Sequence, residues 1–470
     1  MKQLRVWWDG RIVGNLIQDD HGNMGFEYGD EWVADPSVPP LSASLPKSAT
    51  KYAKRDCEPF FGGLLPEGNQ RTAVAKALGV SANNDFSLLE RLGGEVAGAI
   101  QLLSPDSVPD TSEGPWFPTF LSDEDLFKVM EELPRRPFLA GQGRLRLSLA
   151  GAQTKLPVVV DGVRIGLPDS GQPTTHILKP SIPGFPGSTE NEAFSMRLAL
   201  AIGLDVAIVE ARVLDLGGGR QRSYLLVERY DRVHGPLGVR RLHQEDFCQA
   251  SGITSALKYQ TDGGPGFKAC FDLLRGISTV PANDIGKMLR TAVFNVILGN
   301  ADAHAKNFSI LYGDRGIRLA PLYDLLSTAY YAELASDFAM KIGEASTLER
   351  LGPLAWRKFA KKVEIGFPIV QRWVKELTEA VPAAIPNVID QLVGDGLDKA
   401  VLDRLAVLVT GRAKLCATKF LVGSAAVPEP VREEDPDQGD GDVFGGGVVE
   451  DRHATNPSPA KDNLGNHYRR

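Results

Sequence analysis

Apolar and polar residues alternate at the start of the chain. Leu4 to Trp8 and Arg11 to Leu16 flank Asp9-Gly10, a two-residue turn signal, and predict a β-hairpin. Asn69 is placed to cap a helix that Gly79 ends, and Asp85 to Leu92 predicts a second short helix stopped by Gly93-Gly94. E-V-A-G-A-I-Q-L-L then reads as a strand. Four prolines between Ser104 and Pro118 argue against a helix or a central strand there. Beyond them Ser122 caps an acidic first turn and a helix to Leu133. L-P-V-V-V-D-G-V-R-I-G-L predicts another hairpin, and H-I-L-K a short strand. A helix is expected from about Thr189 to Ile202, and strands near Ala207–Leu214 and Ser223–Glu228. After about Pro281 the pattern is mostly helical, with one hairpin interrupting it.

This order predicts an α+β chain. Its units are a small N-terminal α/β subdomain over 1–103, a linker over 104–120, a strand-rich region over 121–280, a helical region over 281–422 and a tail over 423–470. The tail, rich in Pro, Gly and acids, cannot bury enough apolar surface to offset chain entropy and is expected to be disordered.

Composition narrows the classes. The 470 residues are 43% hydrophobic and 24% charged, which excludes a wholly disordered chain, a collagen-like chain and a coiled-coil rod. The net charge is −7, but the segment from Gly423 onward holds ten acidic and five basic residues, so the body is nearly balanced. Nothing global points to nucleic acid or an anionic membrane. No apolar run is long enough to span a bilayer, and Asp9 and Arg11 interrupt any signal-peptide core, so a cytoplasmic protein is expected. Cys57, Cys248, Cys270 and Cys416 are scattered, suggesting neither a disulfide framework nor a zinc knuckle.

The chemistry concentrates in G-N-A-D-A-H-A-K-N-F-S-I-L-Y-G-D-R-G-I-R-L-A-P-L-Y-D-L, Gly299 to Leu325. Asp302 and Asn307 stand five residues apart, the spacing of a protein-kinase catalytic loop. A strand, a tight turn and a returning strand would bring Asp324 back beside Asn307. Magnesium takes hard oxygen ligands, typically one or two carboxylates plus phosphate oxygens. A polar loop that merely ends a helix is the plainer reading of N-A-D-A-H-A-K-N, and the returning Asp324 weighs against it. His304 beside Asp302 raises a His-based metal site, but no second His is near in sequence; packing the loop or touching phosphate suits it better. Lys179 ends H-I-L-K, either facing solvent from an edge strand or needing an anion in the interior. Before it lies R-L-S-L-A-G-A-Q-T-K, ending at Lys155, whose small residues would let backbone N–H groups approach phosphates, although no Walker loop is present. Glu190 or Glu192 is a candidate partner for Lys179, and L-L-V-E-R-Y-D-R (Leu225 to Arg232) suits a linker that presents its backbone to an adenine.

These pieces, with E-N-E, R-L-H-Q-E-D-F-C-Q-A, L-A-P-L-Y-D-L-L-S and F-G-G-L-L-P-E-G, occur in the order found in the HipA family, and over about Met1 to Phe420 the chain resembles those serine/threonine kinase toxins of bacterial toxin–antitoxin pairs. The resemblance implies a two-lobed protein-kinase-like fold, with a nucleotide-binding N-lobe region at 121–280 and a helical C-lobe at 281–422. It implies Asp302 as catalytic base, Asn307 and Asp324 as magnesium ligands, and Lys179 as a phosphate contact. Ala150, Gly151, Ala152, Gln153, Thr154 and Lys155 would form a mobile phosphate loop. Glu228, Arg229 and Tyr230 would form the adenine-side linker, with His304 and Tyr323 against the nucleotide. Ser148 would be an autophosphorylation site whose modification expels the loop; on charge grounds its phosphate would repel ATP and could attract Arg144, Arg146 or another basic group. ATP and Mg2+ are the implied cofactors. The implied partners are a small HipB-like helix-turn-helix antitoxin, operator DNA through it, and a protein substrate of the aminoacyl-tRNA synthetase class; no membrane is implied. A small-molecule kinase and a non-catalytic DNA-associated co-repressor are the competing readings. Arg357, Lys358, Lys361 and Lys362 form a basic run that is a solvated helix face unless DNA lies against it.

Overall fold

The computed structural model describes residues 1–109, 118–141, 145–169, 171–235 and 238–422. The tail 423–470, most of the proline-rich stretch and Arg144 lie outside the described residues.

The first hairpin forms as its pattern predicts. Lys2–Trp8 pairs antiparallel with Arg11–Gln18, and Trp8 faces Arg11 across the turn. Asp9 and Gly10 take φ of 47° and 72°, the left-handed pair that matches strand twist in a two-residue turn. Met24–Tyr28, Lys51–Tyr52 and Ile100–Leu103 complete a five-stranded antiparallel sheet. The last strand is shorter than its sequence suggests, because Gly98 turns left-handed (φ 84°) and Glu95 to Gly98 are drawn into contacts with distant segments. Helices Lys54–Gly63, Gly68–Leu78 and Asp85–Leu92 pack with this sheet. Pro59 inside the first of them disguises it in the sequence. The second begins one residue before the expected cap. Glu67, not Asn69, is its N-cap, because the Glu67 N–H is held by the Gly151 carbonyl (3.1 Å) in extended backbone.

The second sheet has six antiparallel strands in the order Val209–Asp215, Gln221–Glu228, His176–Pro180, Leu156–Asp161, Arg164–Leu167 and Thr119–Phe120. His176–Pro180 is therefore interior, which removes the solvent-facing reading of Lys179. Successive residues of Gln221–Glu228 point to opposite faces. Tyr224 and Leu226 join an apolar cluster with the N-terminal subdomain, while Leu225 and Val227 join the cluster of the helices. That two-sided burial explains the unbroken apolar run Y-L-L-V.

The helical part comprises Ser188–Ala201, Phe267–Ile277, Pro281–Leu298, Pro353–Lys362, Phe367–Gly394 and Lys399–Val422. Val370, Val374, Leu377, Val381, Ile385 and Val388 make one buried stripe at helical spacing. Gly299 ends Pro281–Leu298 left-handed (φ 78°), and a Cβ there would sit 2.7 Å from Ala329 and Arg412 side-chain atoms. That close turn launches the Asp302 loop. The expected hairpin follows as Ser309–Gly313 and Gly316–Leu319, joined by His243–Asp246 into a three-stranded sheet.

Candidate active site

A cleft of about 440 Å³ collects residues from every part of the fold. The N-terminal subdomain supplies Glu67 and Gln70, the small-residue loop supplies Ala150, Gly151, Ala152, Gln153, Thr154 and Lys155, and the central sheet supplies Lys179 and Glu228. Arg229, Tyr230, Asp302, His304, Asn307, Tyr323 and Asp324 also line it. Ser148, Arg146, Glu190 and Glu192, also singled out in the sequence, are not in the lining.

Lys179 is paired across the sheet with Leu225 and is buried. Its ammonium donates to Glu192 Oε1 at 2.6 Å and to Asp324 Oδ1 at 2.8 Å. Burial opposes the charge on Lys179, but the two carboxylates more than offset it and hold its pKa above the usual lysine value. Burial likewise opposes the charge on Asp324, yet Lys179 and Lys155 keep its carboxyl below the usual range. Glu192, from Ser188–Ala201, is the partner that Lys179 selects. Glu190 is shifted upward by burial, near Asp398 rather than Lys179. Asp324 sits at a positive φ of 57°, a conformation uncommon outside glycine and kept where packing demands it.

The small-residue loop is seated against the N-terminal subdomain. Gly151 pairs with Pro66, and Gln70 Nε2 donates to Thr154 Oγ1 at 2.9 Å. Lys155 donates to the Ala150 carbonyl and makes no ion pair among the described residues. Burial, followed by repulsion from Lys179, lowers its pKa to about 8. A Cβ on Gly151 (φ 104°) would lie 2.8 Å from the Lys155 ammonium, so glycine leaves room for it.

Asp302 accepts from the Tyr259 hydroxyl at 2.5 Å. Burial pushes its pKa up to about 6, against the opposing pull of Lys258 and Tyr259. Asn307 Nδ2 donates to the Asp302 carbonyl at 2.9 Å, which leaves the amide oxygen as the end available to a cation. His304 packs edge-on against Tyr259, with Nε2 3.8 Å from Asp302 Oδ1 and Nδ1 buried without a protein partner. Burial and then Lys258 lower its pKa to about 3, so the ring is neutral. Among the described residues no three His, Cys, Asp or Glu side chains converge as a protein-only metal cluster would need. Tyr323 stacks on Tyr230 with centroids 5.9 Å apart and donates to the Lys306 carbonyl at 2.9 Å.

Two residues stand differently from the rest. The Arg229 guanidinium is turned away into a buried network with Glu95 and Asp231. Ser148 is fully buried; its hydroxyl donates to the Leu64 carbonyl at 2.8 Å and its N–H to the Glu95 carbonyl at 2.9 Å. Arg146 is spent on the carbonyls of Glu90 and Leu102, both at 2.9 Å.

Sequence reasoning missed a second set of charges in the cleft wall. Lys258 donates to Glu67 at 2.8 Å, and Lys306 donates to Asp246 at 2.7 Å. Lys258 and Tyr259 precede a short 3-10 turn with no periodicity to flag them. Glu67 and Asp246 lay within quoted motifs but carried no assigned role.

The family models now add to this geometry. A HipA-like C-terminal domain matches residues 147–385, and a HipA N-terminal domain matches residues 4–103. The chain belongs to the HipA family. It is 52% identical to a putative kinase, Y4mE, of Sinorhizobium fredii over 419 residues, covering 88% of this chain and 98% of that one. It is 32% identical to the serine/threonine-protein kinase toxin HipA of Shewanella oneidensis over 348 residues, covering 71% and 77%. The solved Shewanella oneidensis complex of HipA, HipB and operator DNA contains a chain that superposes with a TM-score of 0.74 at 27% identity, over 89% of this chain and 97% of that one. The α+β, two-lobed kinase-like architecture is thus that of HipA. The family so matched is that of the HipA-like kinase toxins.

Proposed function

We propose that this HipA-family member is an ATP- and magnesium-dependent serine/threonine protein kinase and the toxin of a toxin–antitoxin pair. It transfers the γ-phosphoryl group to a serine of a cellular protein, of which an aminoacyl-tRNA synthetase is the class the family suggests, and to its own Ser148. The observation that carries the reading is the Lys179 bridge between Glu192 and Asp324, set in one cleft with Asp302 and Asn307. A strand lysine paired with a helix glutamate, beside an aspartate fit for metal, is what phosphoryl transfer requires in kinases.

The residues suit the cofactors. Lys155 is a half-buried cation with no carboxylate ion pair among the described residues, and a triphosphate would supply the anion. Asp324 and the Asn307 amide oxygen would hold magnesium, which supplies charge neutralisation at the phosphates when bound. Two protein oxygens are enough when phosphate provides the others. Lys179 orients the phosphates, and the stacked Tyr230 and Tyr323 offer an apolar face to the base. Asp302 receives the acceptor proton, and its position at about 6 keeps it ionised at neutral pH. Ser148 must leave its buried seat to be modified, which fits a loop that changes place on phosphorylation.

We also assign a HipB-like helix-turn-helix partner, and operator DNA through it, because the Shewanella relative was solved in such a complex. No helix among the described residues is long and apolar enough to cross a membrane, and we place the protein in the cytoplasm. The deciding experiment adds labelled ATP and magnesium to lysate with wild type or Asp302→Ala and identifies labelled proteins. Wild type should label at least one protein on serine. Equal labelling by Asp302→Ala would overturn the assignment.

A further inference from the structure

Helix Pro353–Lys362 has two unlike faces. Trp356, Phe359 and Ala360 are buried. Leu354, Arg357, Lys358 and Lys361 recur at helical spacing on the exposed side, with Lys362 beside them. None of these four cations makes an ion pair among the described residues. Glu364, the acid that follows the helix, is taken by Lys268 and Arg275 at 3.4 and 4.0 Å. The helix therefore presents a stripe of positive charge that its neighbours leave unmatched. We propose that the occupant of this stripe is the chain's own acidic segment, residues 429–442, which covers it and competes with nucleic acid for it. The proposal stands apart from the kinase reading, because no residue of this helix lines the cleft.

Three observations point to this occupant. The first is where the chain goes. The Phe420 ring lies 6.2 Å from that of Phe367, and the Arg357 guanidinium sits 5.2 Å over the same Phe367 ring. Lys419 donates to the Glu349 carbonyl at 2.6 Å, just ahead of the basic helix. The described chain ends at Val422, so the residues that follow leave from beside the stripe.

The second is charge. Residues 429–442 hold seven acids and one arginine, the opposite sign to the helix face. The third is reach. The stretch from Phe420 to Glu433 can extend to at most ~45 Å, whereas the helix is only about 15 Å long. A tether of this kind holds the acids near the stripe at an effective concentration on the order of millimolar. Each exposed ion pair is weak, but several acids attached next to several cations act together. A nucleic acid offers the same stripe phosphate oxygens, and it must displace the segment to reach them.

The test uses the full chain. A zero-length carbodiimide crosslinker joins a carboxyl group only to an amine already in contact with it, and the joined peptides are mapped. Lys358, Lys361 and Lys362 should be joined to residues 429–442 several-fold more often than the exposed Lys128 and Lys399 are. This excess should disappear at about 0.5 M salt, where screening acts within ~5 Å. Binding of a labelled mixed-sequence DNA duplex is then measured for four proteins. They are wild type, the tail variant (Glu433→Gln, Glu434→Gln, Asp435→Asn, Asp437→Asn), the face variant (Lys358→Glu, Lys361→Glu) and the two combined. At about 50 mM salt the tail variant should bind roughly 10-fold more tightly than wild type, as expected for uncovering a few phosphate contacts. The face variant should bind more weakly, and on that background the tail changes should add little. An equal gain with and without the face changes would be a general charge effect and would overturn the proposal. Crosslinks spread evenly over the exposed lysines would overturn it too. If none of the four proteins binds the duplex, the crosslink map alone decides.

Discussion

Glu95→Gln should destabilise the protein more than most single changes. Glu95 is 2% exposed. Its Oε1 accepts from Arg229 (3.0 Å), Arg232 (2.7 Å) and the Thr174 N–H and hydroxyl (3.0 and 2.8 Å). Its Oε2 accepts from Arg241 Nε and Nη2 at 2.9 and 2.7 Å. Asp231 is the other carboxylate in the cluster, so three guanidiniums share two negative charges. The glutamine removes one of those charges and turns an amide N–H2 toward guanidinium donors. Breaking a buried ion network by deleting one partner costs about 3–5 kcal/mol, because the remaining charges stay desolvated. At about 2–4 °C per kcal/mol for a unit of this size, the midpoint should fall by roughly 6–20 °C. Burial opposes the Glu95 charge, but the three arginines more than offset it and hold the carboxyl well below its usual range. A depressed folded pKa means the stabilisation is present above the unfolded value of ~4.3 and is lost as pH falls through the folded value. The gap between wild type and variant should therefore be full at pH 7 and should narrow progressively as pH falls below about 4. Thermal unfolding followed by fluorescence and by circular dichroism is the assay, since a chain with two apolar cores need not melt in one step. A midpoint within about 1 °C of wild type at pH 7 would refute the reasoning.

Phosphoryl transfer should fall about tenfold per pH unit below ~6, because burial raises Asp302 to about 6 and its protonated form is no base. Lys258→Met should move that acid limb upward in pH by removing a charge that opposes the shift; an unmoved limb in the pH–rate profile would exclude Asp302 as its source. Asn307→Ala and Asp324→Ala should each shrink the thermal shift given by magnesium-ATP; shifts equal to wild type in both would put the metal elsewhere. Phosphate on Ser148 adds about −1.5 to −2 charges where the hydroxyl now meets the Leu64 carbonyl. Protein incubated with ATP and magnesium should gain that phosphate and lose nucleotide affinity with time, whereas Ser148→Ala should not; stoichiometric Ser148 phosphate with undiminished binding would sink the mechanism.

Much of the local structure was legible because short-range chemistry governs it. Asp9-Gly10 sits in the turn it signals, Gly79 ends its helix left-handed, and Ser122 caps its helix through the Asp125 N–H. The Asp302-to-Asn307 spacing and the returning hairpin likewise place Asp324 in the same cleft without knowledge of the rest of the fold. Backbone dihedrals, turn residues and a five-residue offset are properties of one segment, so one sequence carries them.

The choices between partners were not local, and packing alone made them. Lys179 became an interior residue because Gln221–Glu228 and Leu156–Asp161 flank its strand, and it took Glu192 rather than Glu190 because of how Ser188–Ala201 turns toward it. Asn69 lost the cap to Glu67 because Gly151, 84 residues from Glu67, holds that backbone. The Arg229 guanidinium is claimed by Glu95, 134 residues away, a partner that the segment Leu225 to Arg232 does not reveal. Ser148 is sealed under Leu64, and Lys258 meets Glu67 across 191 residues. In each case the deciding energy is the desolvation of a buried polar or charged group, which is met only by whichever partner the tertiary fold brings within reach.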